Sequence, residues 1–414
     1  MRMSLSALRR LVVGGAVVSA IVAGGLAPAT AAPRAGVETL GTPRPITRAF
    51  AYPLTPGDEG WERLTTHREM VEATQLPAET ARQMSTEALV ETVLDYPLFL
   101  DVKAFNSDQQ GLDRVARRFN GFAELFRRDD AGAVLLPRYE AFEPTGAGPR
   151  AADRGERQLD GWKLELLLAQ PQVLSTLAPD RLDAALAAGV RVYDGKVAAR
   201  ADYGAAGLQP TGLLMGRALA ARDGWDWRRS AFLTTGRGPD AAPAQVRAAA
   251  AGTGRDRGRP PADLVSPARL GKVQTPNGSS IEVEQRSEDL TDVQLRNYHT
   301  YVASLYPRAA RETSASRRYN CHSYAWHSQA PSNNSWMMSP GDDIYWQDGS
   351  YQIWRRNLPY LPGMRWSWGS DDHSGFEVGK SGRVRSKWGE LPVMTHSWEY
   401  SPYEDAAVNR YYKA

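Results

Sequence analysis

The chain has 414 residues, a formal net charge of +3 and a single cysteine. Because its lysines and arginines are interleaved with nearly as many acids, nucleic acid is not an expected partner. After the first 32 residues, no stretch of about 20 residues is apolar enough to predict a membrane span. The length suits two or three domains of ordinary size.

Residues 1–32 have the three parts of a secretory signal peptide. Arg2, Arg9 and Arg10 precede an apolar run from Leu11 to Leu26, and the small-residue cleavage pattern Ala29-Thr30-Ala31 follows. No cysteine stands directly after this cleavage pattern, which argues against a lipid-anchored lipoprotein. The sequence therefore predicts a secreted protein, found outside the cell or in the cell wall, that does not contact the membrane once the signal is removed.

The first half of the mature chain is predicted to be helical. Residues 33–57 are rich in proline and predict an extended leader, and residues 58–235 repeat apolar residues at helical spacing. Within that region, Ser85 or Thr86 is placed to cap a helix that ends at Tyr96-Pro97. Residues 236–265 are mostly alanine, arginine, glycine and proline, and they predict a disordered linker.

Residues 266–414 are predicted to form a separate domain, which holds eight of the twelve tryptophans. Thr291 and Gln294 form a capping box that opens a helix through Leu305. After Cys321 the chain is typical of short strands joined by turns of glycine, aspartate and serine. The predicted fold class is therefore α+β: a helical region, then a helix-borne cysteine against a small antiparallel sheet.

Cys321 is the residue around which the functional prediction is built. It has no possible intramolecular disulfide partner, so in an exported protein its thiol needs another explanation. One explanation is a buried cysteine that acts as a small apolar side chain. However, the sequence enters the first turn of a helix here, where backbone N–H groups favour a thiolate. Cys321 is thus the predicted nucleophile, and Asn320, Tyr324 and Trp326 are predicted to contact the substrate.

A cysteine nucleophile needs a histidine base, and the chain has six histidines. His67 and His299 lie in helical stretches at positions expected to be exposed. His322 follows Cys321 directly and on a regular helix would point about 100° away. His327 is expected on another face. These four histidines are therefore poor candidates for the base.

His373 is the predicted base, because residues 371–378 are typical of a strand that starts after a polar turn. An imidazole on a strand that faces a helix N-terminus has the geometry of a thiolate–imidazolium pair. His396 is the preferred group to orient this base, and Ser386 is the alternative. Zinc bound by Cys321, His373 and His396 would have suitable ligands, but the sequence has no close ligand pair. Neither a metal nor another cofactor is predicted.

Three motifs carry a resemblance to known proteins. Asn-Cys-His-Ser-Tyr-Ala-Trp at 320–326, Asp-His-Ser-Gly at 372–375 and Ser-Lys-Trp-Gly at 386–389 resemble a group of secreted bacterial proteins. That group is similar to the NlpC-type and CHAP-type papain-like peptidases and amidases. The resemblance covers residues 268–414 and implies cysteine hydrolase chemistry with the order Cys, His, polar third residue. It departs at Gly363-Met364, where the wider family commonly has Gly-Asp.

The predicted function is a secreted cysteine hydrolase that cleaves an amide bond in a peptide or in peptidoglycan and acts as a monomer. The alternative is a non-catalytic binding module on a peptidase-like scaffold. Residues 62–141 resemble a helical module found beside other secreted bacterial domains, which would then be the recognition part.

Overall fold

A computed structural model describes residues 44–146, 151–238, 240–252, 270–355, 361, 363–369, 373–379, 382–403 and 408–414. The predicted signal peptide, the first part of the leader and Asp371-Asp372 lie outside these residues. Among the described helices, none is both long enough and apolar enough to cross a bilayer.

Residues 59–251, here called the helical part, fold into successive helices. These are α1 (Glu59–Glu62), α2 (His67–Ala73), α3 (Ala78–Gln83), α4 (Thr86–Leu94), α5 (Asp108–Arg118), α6 (Asn120–Leu125), α7 (Ala131–Glu140), α8 (Ala151–Leu168), α9 (Pro171–Leu174), α10 (Pro179–Ala198), α11 (Arg200–Tyr203), α12 (Gln209–Asp223), α13 (Ala231–Thr235) and α14 (Ala242–Ala251).

Residues 270–414, here called the C-terminal part, combine two further helices with short strands. The helices are α15 (Asp292–Leu305) and α16 (Ile344–Gln347), and a π-helix spans Ser323–His327. The strands are β1 (Leu270–Gln274), β2 (Ser280–Gln285), β3 (Ala310–Arg311), β4 (Ser335–Trp336), β5 (Tyr351–Ile353), β6 (Arg365–Trp368), β7 (Ser374–Val378), β8 (Arg383–Lys387), β9 (Val393–Ser397) and β10 (Val408–Lys413).

The predicted helix caps are confirmed. The Ser85 hydroxyl accepts the N–H of Ala88 and opens α4. Thr291 and Gln294 exchange hydrogen bonds between side chain and backbone at the start of α15. Each cap satisfies N–H groups that have no partner inside the helix, which is why these positions mark the helix starts.

One stretch predicted to be a disordered linker contains a helix. Within residues 236–265, α14 packs its buried Val246 into the core, and its neighbours are α10 and α12. Alanine has the highest helix propensity, so a single anchoring valine and a proline at the helix start are enough here. Residues 253–269 lie outside the described residues.

The strands form two antiparallel sheets, so the coarse prediction of an α+β fold is confirmed. The small sheet has the order β1-β2-β4, with β1 and β2 joined by the predicted turn at Pro276-Asn277-Gly278. The large sheet has the order β3-β9-β8-β7-β6-β10-β5. In the large sheet, β7 and β8 are central, which places the predicted site residues in the middle of the C-terminal part.

The two faces of the large sheet pack against different elements, because successive side chains of a strand point to opposite sides. Phe376 of β7 contacts Tyr324 of the π-helix on one face. Trp366 of β6 and Val384 of β8 enter a hydrophobic core that continues into the helical part. Residues 44–414 thus form one compact unit with a shared core.

Candidate functional site

Cys321 lies two residues before the start of the π-helix at Ser323, and the residue is only 1% exposed. The neighbouring Asn320 fixes the local backbone. Its side-chain oxygen accepts the N–H groups of Ser323 and Met337, and its amide donates to Met337 O and to Asn106 of the helical part. The segment that carries the sulfur is therefore held from both parts of the chain.

His322 and Asp342 form a buried ion pair beside this sulfur. His322 Nδ1 lies 2.9 Å from Asp342 Oδ2, and both side chains are fully buried. Burial alone lowers the pKa of His322, but the charge of Asp342 and the adjacent Cys321 raise it well above its ordinary value. In the same way, His322 holds the pKa of Asp342 below its usual range despite burial. The ion pair therefore favours the protonated form of the imidazole.

A short hydrogen-bond network surrounds the ion pair. The Ser374 hydroxyl of β7 donates to Asp342 Oδ2 at 3.1 Å, and it accepts the indole N–H of Trp326 at 3.0 Å. On the other side of the ring, His322 Nε2 lies 3.1 Å from Ser339 Oγ. His322 also shares a side-chain hydrogen bond with Cys321. The thiol of Cys321, the imidazole of His322 and the carboxylate of Asp342 thus form a chain of contacts.

His322 and Asp342 are the residues that reasoning from the sequence missed. On a regular helix His322 would point about 100° away from Cys321, but Asp342 from another segment fixes the imidazole. Asp342 lies in a short 3-10 helix, Gly341–Asp343, and nothing in its neighbouring residues marks it as the partner of His322.

His373, the predicted base, precedes β7 as expected but has no hydrogen bond to Cys321. Both ring nitrogens are buried without a hydrogen-bond partner among the described residues. The ring stacks on Tyr403 at 3.4 Å between centroids and meets Trp368 edge-on at 4.6 Å. Burial and the charges of His396 and His322 lower its pKa well below the ordinary value. His373 is therefore neutral.

His396 and Ser386, predicted as alternatives for orienting His373, are bonded to each other instead. His396 Nε2 lies 2.8 Å from Ser386 Oγ, and Nδ1 lies 2.8 Å from the carbonyl of Ser397. Burial lowers the pKa of His396 to about 4. On the paired strands β8 and β9, Ser386 lies opposite Met394 and His396 lies opposite Val384, so the two side chains are diagonal neighbours on one face of the sheet.

The residues predicted to contact substrate are buried. Tyr324 lies between Tyr319 and Phe376, with ring centroids 6.1 and 5.7 Å away. Trp326 packs among four other aromatic rings. Together with the hydrogen bonds of Asn320, these contacts give all three residues a structural role in this conformation.

Lys387, in the Ser-Lys-Trp-Gly motif, is a further unusual group near the sulfur. Its ammonium is buried and donates to the carbonyls of Ser316, Gly389 and Leu391. Burial lowers its pKa to about 7, partly offset by Glu390, Asp289 and Cys321.

No family model, curated protein or solved structure matches this chain. Among the described residues, no three His, Cys, Asp or Glu side chains are arranged to hold a metal ion. The interpretation of the site therefore follows from its own chemistry.

Proposed function

We propose that the chain is a secreted cysteine hydrolase that cleaves an amide bond, with Cys321 as its nucleophile. The observation that carries this proposal is the spatial arrangement of three buried side chains, in which His322 lies next to Cys321 and is paired with Asp342. An imidazolium held beside a sulfur stabilises negative charge on it, and a carboxylate that holds the ring is the usual third member of such a group.

In this mechanism the proton of Cys321 resides on His322, and the sulfur attacks the carbonyl carbon of the amide. A sulfur–carbon bond forms, and the carbon–nitrogen bond then breaks. His322 returns the proton to the leaving amine. Water hydrolyses the resulting thioester and restores the thiol. Asp342 keeps the imidazole oriented through both steps.

The proposed fold type is that of the papain-like hydrolases, in which a helix that carries cysteine packs on an antiparallel sheet. The π-helix behind Cys321 and its contact with β7 support this proposal. His373 remains the base predicted from the sequence. Its nitrogens have no hydrogen-bond partner among the described residues, but its lowered pKa makes it a weak proton acceptor in this arrangement.

We propose that substrate reaches the enclosed sulfur when the contact around Asn106 opens. Asn106 of the helical part bonds Asn320 and lies 3.4 Å from His322 Nε2. The proposed substrates are therefore peptides or peptidoglycan stem peptides that enter along this contact between the two parts.

A non-catalytic binding module is the second candidate. The enclosure of Cys321 and the missing hydrogen bond between Cys321 and His373 favour it. The two candidates differ in the expected behaviour of the thiol, because an activated thiolate reacts with iodoacetamide below pH 7 whereas an inert thiol does not.

The decisive experiment compares the wild type with Cys321→Ala on purified cell wall and on a casein-like protein, following the release of new amino groups. We expect release by the wild type and none by Cys321→Ala. His322→Gln should lower the rate by roughly 10² to 10⁴, the usual contribution of acid–base catalysis. His299→Gln, which alters a partly exposed histidine outside the site, is the matched control.

His373→Gln separates the two histidines. If His322→Gln stays active and His373→Gln does not, the proton is carried by His373, as the sequence predicts. Equal release by wild type and Cys321→Ala would contradict the hydrolase proposal. Slow labelling of the wild-type thiol together with no release would favour the binding module.

A further inference from the structure

A cavity lies beside the Cys321 site, and Asn106 lines this cavity while it also bonds Asn320 next to Cys321. The cavity is lined by the cationic side chains Lys103, Arg237, Arg286 and Arg317 and by the carboxylates of Asp108 and Glu390. Residues of both the helical part and the C-terminal part line the cavity. Its lining therefore carries four positive charges against two negative ones.

The carboxylates that form ion pairs with the three arginines are not among the residues that line the cavity. Glu284 lies 2.9 Å from Arg237 and 3.2 Å from Arg286, and Asp240 lies 3.2 Å from Arg317. Neither Glu284 nor Asp240 lines the cavity. Within the lining, Asp108 and Glu390 lie 2.7 and 3.7 Å from the ammonium of Lys103, so the acids that pair with the three arginines are mainly ones outside it.

Two of these guanidinium groups retain a donor without an acceptor. The Nε–H groups of Arg237 and Arg317 are buried and have no hydrogen-bond partner among the described residues. The two side chains are only 9% and 5% exposed. Buried N–H groups are almost always paired, so two unpaired donors on residues that line one cavity are available to an acceptor.

The arginines are also held rigidly before any ligand arrives. The indole of Trp336 lies between two guanidinium groups, with Arg237 at 3.8 Å and Arg286 at 4.1 Å from the ring centroid. Arg286 donates in addition to the carbonyl of Arg317 at 2.7 Å. A donor set fixed in this way loses little conformational freedom on binding.

The size of the cavity limits what it can hold. About 30 Å³ is open to the centre of a water-sized sphere. One water needs roughly 10 to 15 Å³ by this measure, so the space suits a few waters or one small oxyanion group, and it excludes an aromatic ring.

We propose that this cavity binds a carboxylate group of the substrate and so selects amides that carry a carboxylate near the bond to be cut. The identification of the ligand as substrate rests on the proposed hydrolase function; the affinity for a small oxyanion does not. Asn106 links the two sites, because it lines the cavity and also bonds Asn320 next to Cys321.

The test uses the mature chain with Cys321→Ala, so that no turnover disturbs the binding measurement. N-acetylglycine, its neutral analogue N-acetylglycinamide, and inorganic phosphate are each titrated by calorimetry. We expect N-acetylglycine to bind at one site and the neutral amide to bind at least tenfold more weakly. Phosphate tests whether the site prefers a different oxyanion.

Arg317→Gln should weaken the binding of N-acetylglycine at least tenfold. This position is suitable because its partner Asp240 is 40% exposed and stays solvated when the arginine is removed. Arg127→Gln, on the surface with a side chain 72% exposed, is the matched control and should bind normally. If Arg317→Gln does not fold, Arg317→Lys keeps the charge but loses the Nε donor and should still weaken binding.

The proposal is overturned if the unaltered cavity binds neither anion, or if it binds the neutral amide as tightly as N-acetylglycine. Binding of phosphate without N-acetylglycine would overturn the carboxylate assignment. Binding without any hydrolysis by the wild type would contradict the proposed function and leave the anion site standing. Hydrolysis by the wild type without anion binding would support the proposed function and contradict the anion site.

Discussion

His322 and His396 are both fully buried in the C-terminal part, yet the structure gives them opposite protonation states. His322 faces the carboxylate of Asp342, which raises its pKa well above the ordinary value even though burial acts the other way. His396 bonds the hydroxyl of Ser386 and the carbonyl of Ser397, and burial lowers its pKa to about 4. Burial by itself therefore keeps a histidine neutral, and one buried carboxylate reverses this outcome.

The two histidines consequently act on stability with opposite signs of pH dependence. The raised pKa of His322 contributes stability that is complete below pH 6.5 and is lost as the pH rises through its folded-state pKa. The lowered pKa of His396 contributes stability that is present above pH 6.5 and is lost as the pH falls toward about 4.

The largest expected effect comes from removing the carboxylate that distinguishes the two sites. In Asp342→Asn the charge of His322 loses its partner, so we expect the free energy of unfolding at pH 6 to fall by about 3 to 5 kcal/mol. The pKa of His322 should also fall below 6.5. Urea denaturation and an NMR titration of the imidazole nitrogens measure the two effects.

Asp343→Asn is the control for this comparison, because Asp343 is the next residue along and is only half-buried. We expect it to change the free energy of unfolding by less than about 0.5 kcal/mol. An Asp342→Asn variant with unchanged stability and an unchanged His322 titration would show that the carboxylate does not set the difference.

A smaller effect is expected when His396 is replaced by glutamine, which does not titrate. Between pH 7 and pH 4 the wild type should lose stability, because His396 binds a proton in the unfolded chain but stays unprotonated in the folded chain. The shift from 6.5 to about 4 corresponds to a change of about 3 kcal/mol that His396→Gln should lack. The measurement is urea denaturation at several pH values.

His327→Gln serves as the matched histidine variant, since this residue is exposed. It should keep nearly all of the acid-induced loss of stability. If His396→Gln keeps it as well, the neutral buried state assigned to His396 is wrong.

The smallest effect is expected for Ser386→Ala. This change removes the hydroxyl that bonds His396 and also accepts the indole N–H of Trp388 at 3.2 Å. Loss of such a buried partner should reduce the free energy of unfolding by about 1 to 3 kcal/mol. The exposed Ser314→Ala is the control in thermal and urea unfolding, and equal stability of the two variants would show that the Ser386 hydroxyl contributes nothing.

The sequence predicts those features that depend on residues close together in the chain. The cap at Ser85, the capping box at Thr291 and the turn at Asn277-Gly278 were all readable because each involves only a few consecutive residues. The strands at His373 and Ser386 were readable from alternation and turns. The α+β class follows from these local signals.

The sequence could not show which side chains meet across the fold. His67 was expected to be exposed, but it is buried and its Nε2 lies 2.8 Å from Asp101. Its helix has a second face that the C-terminal part covers, as the backbone bond from His67 to Glu399 shows. The pairing of His322 with Asp342 could not be predicted for the same reason, because helical spacing does not indicate which residue of another segment contacts a given side chain.

The enclosure of Cys321 has a consequence for the handling of the protein. A lone accessible thiol in an aerated solution couples two molecules through a disulfide or is oxidised step by step to sulfenic and sulfinic acids. A sulfur that is 1% exposed can do neither until the chain opens around it. The rate at which purified protein dimerises in air therefore reports how often that opening occurs.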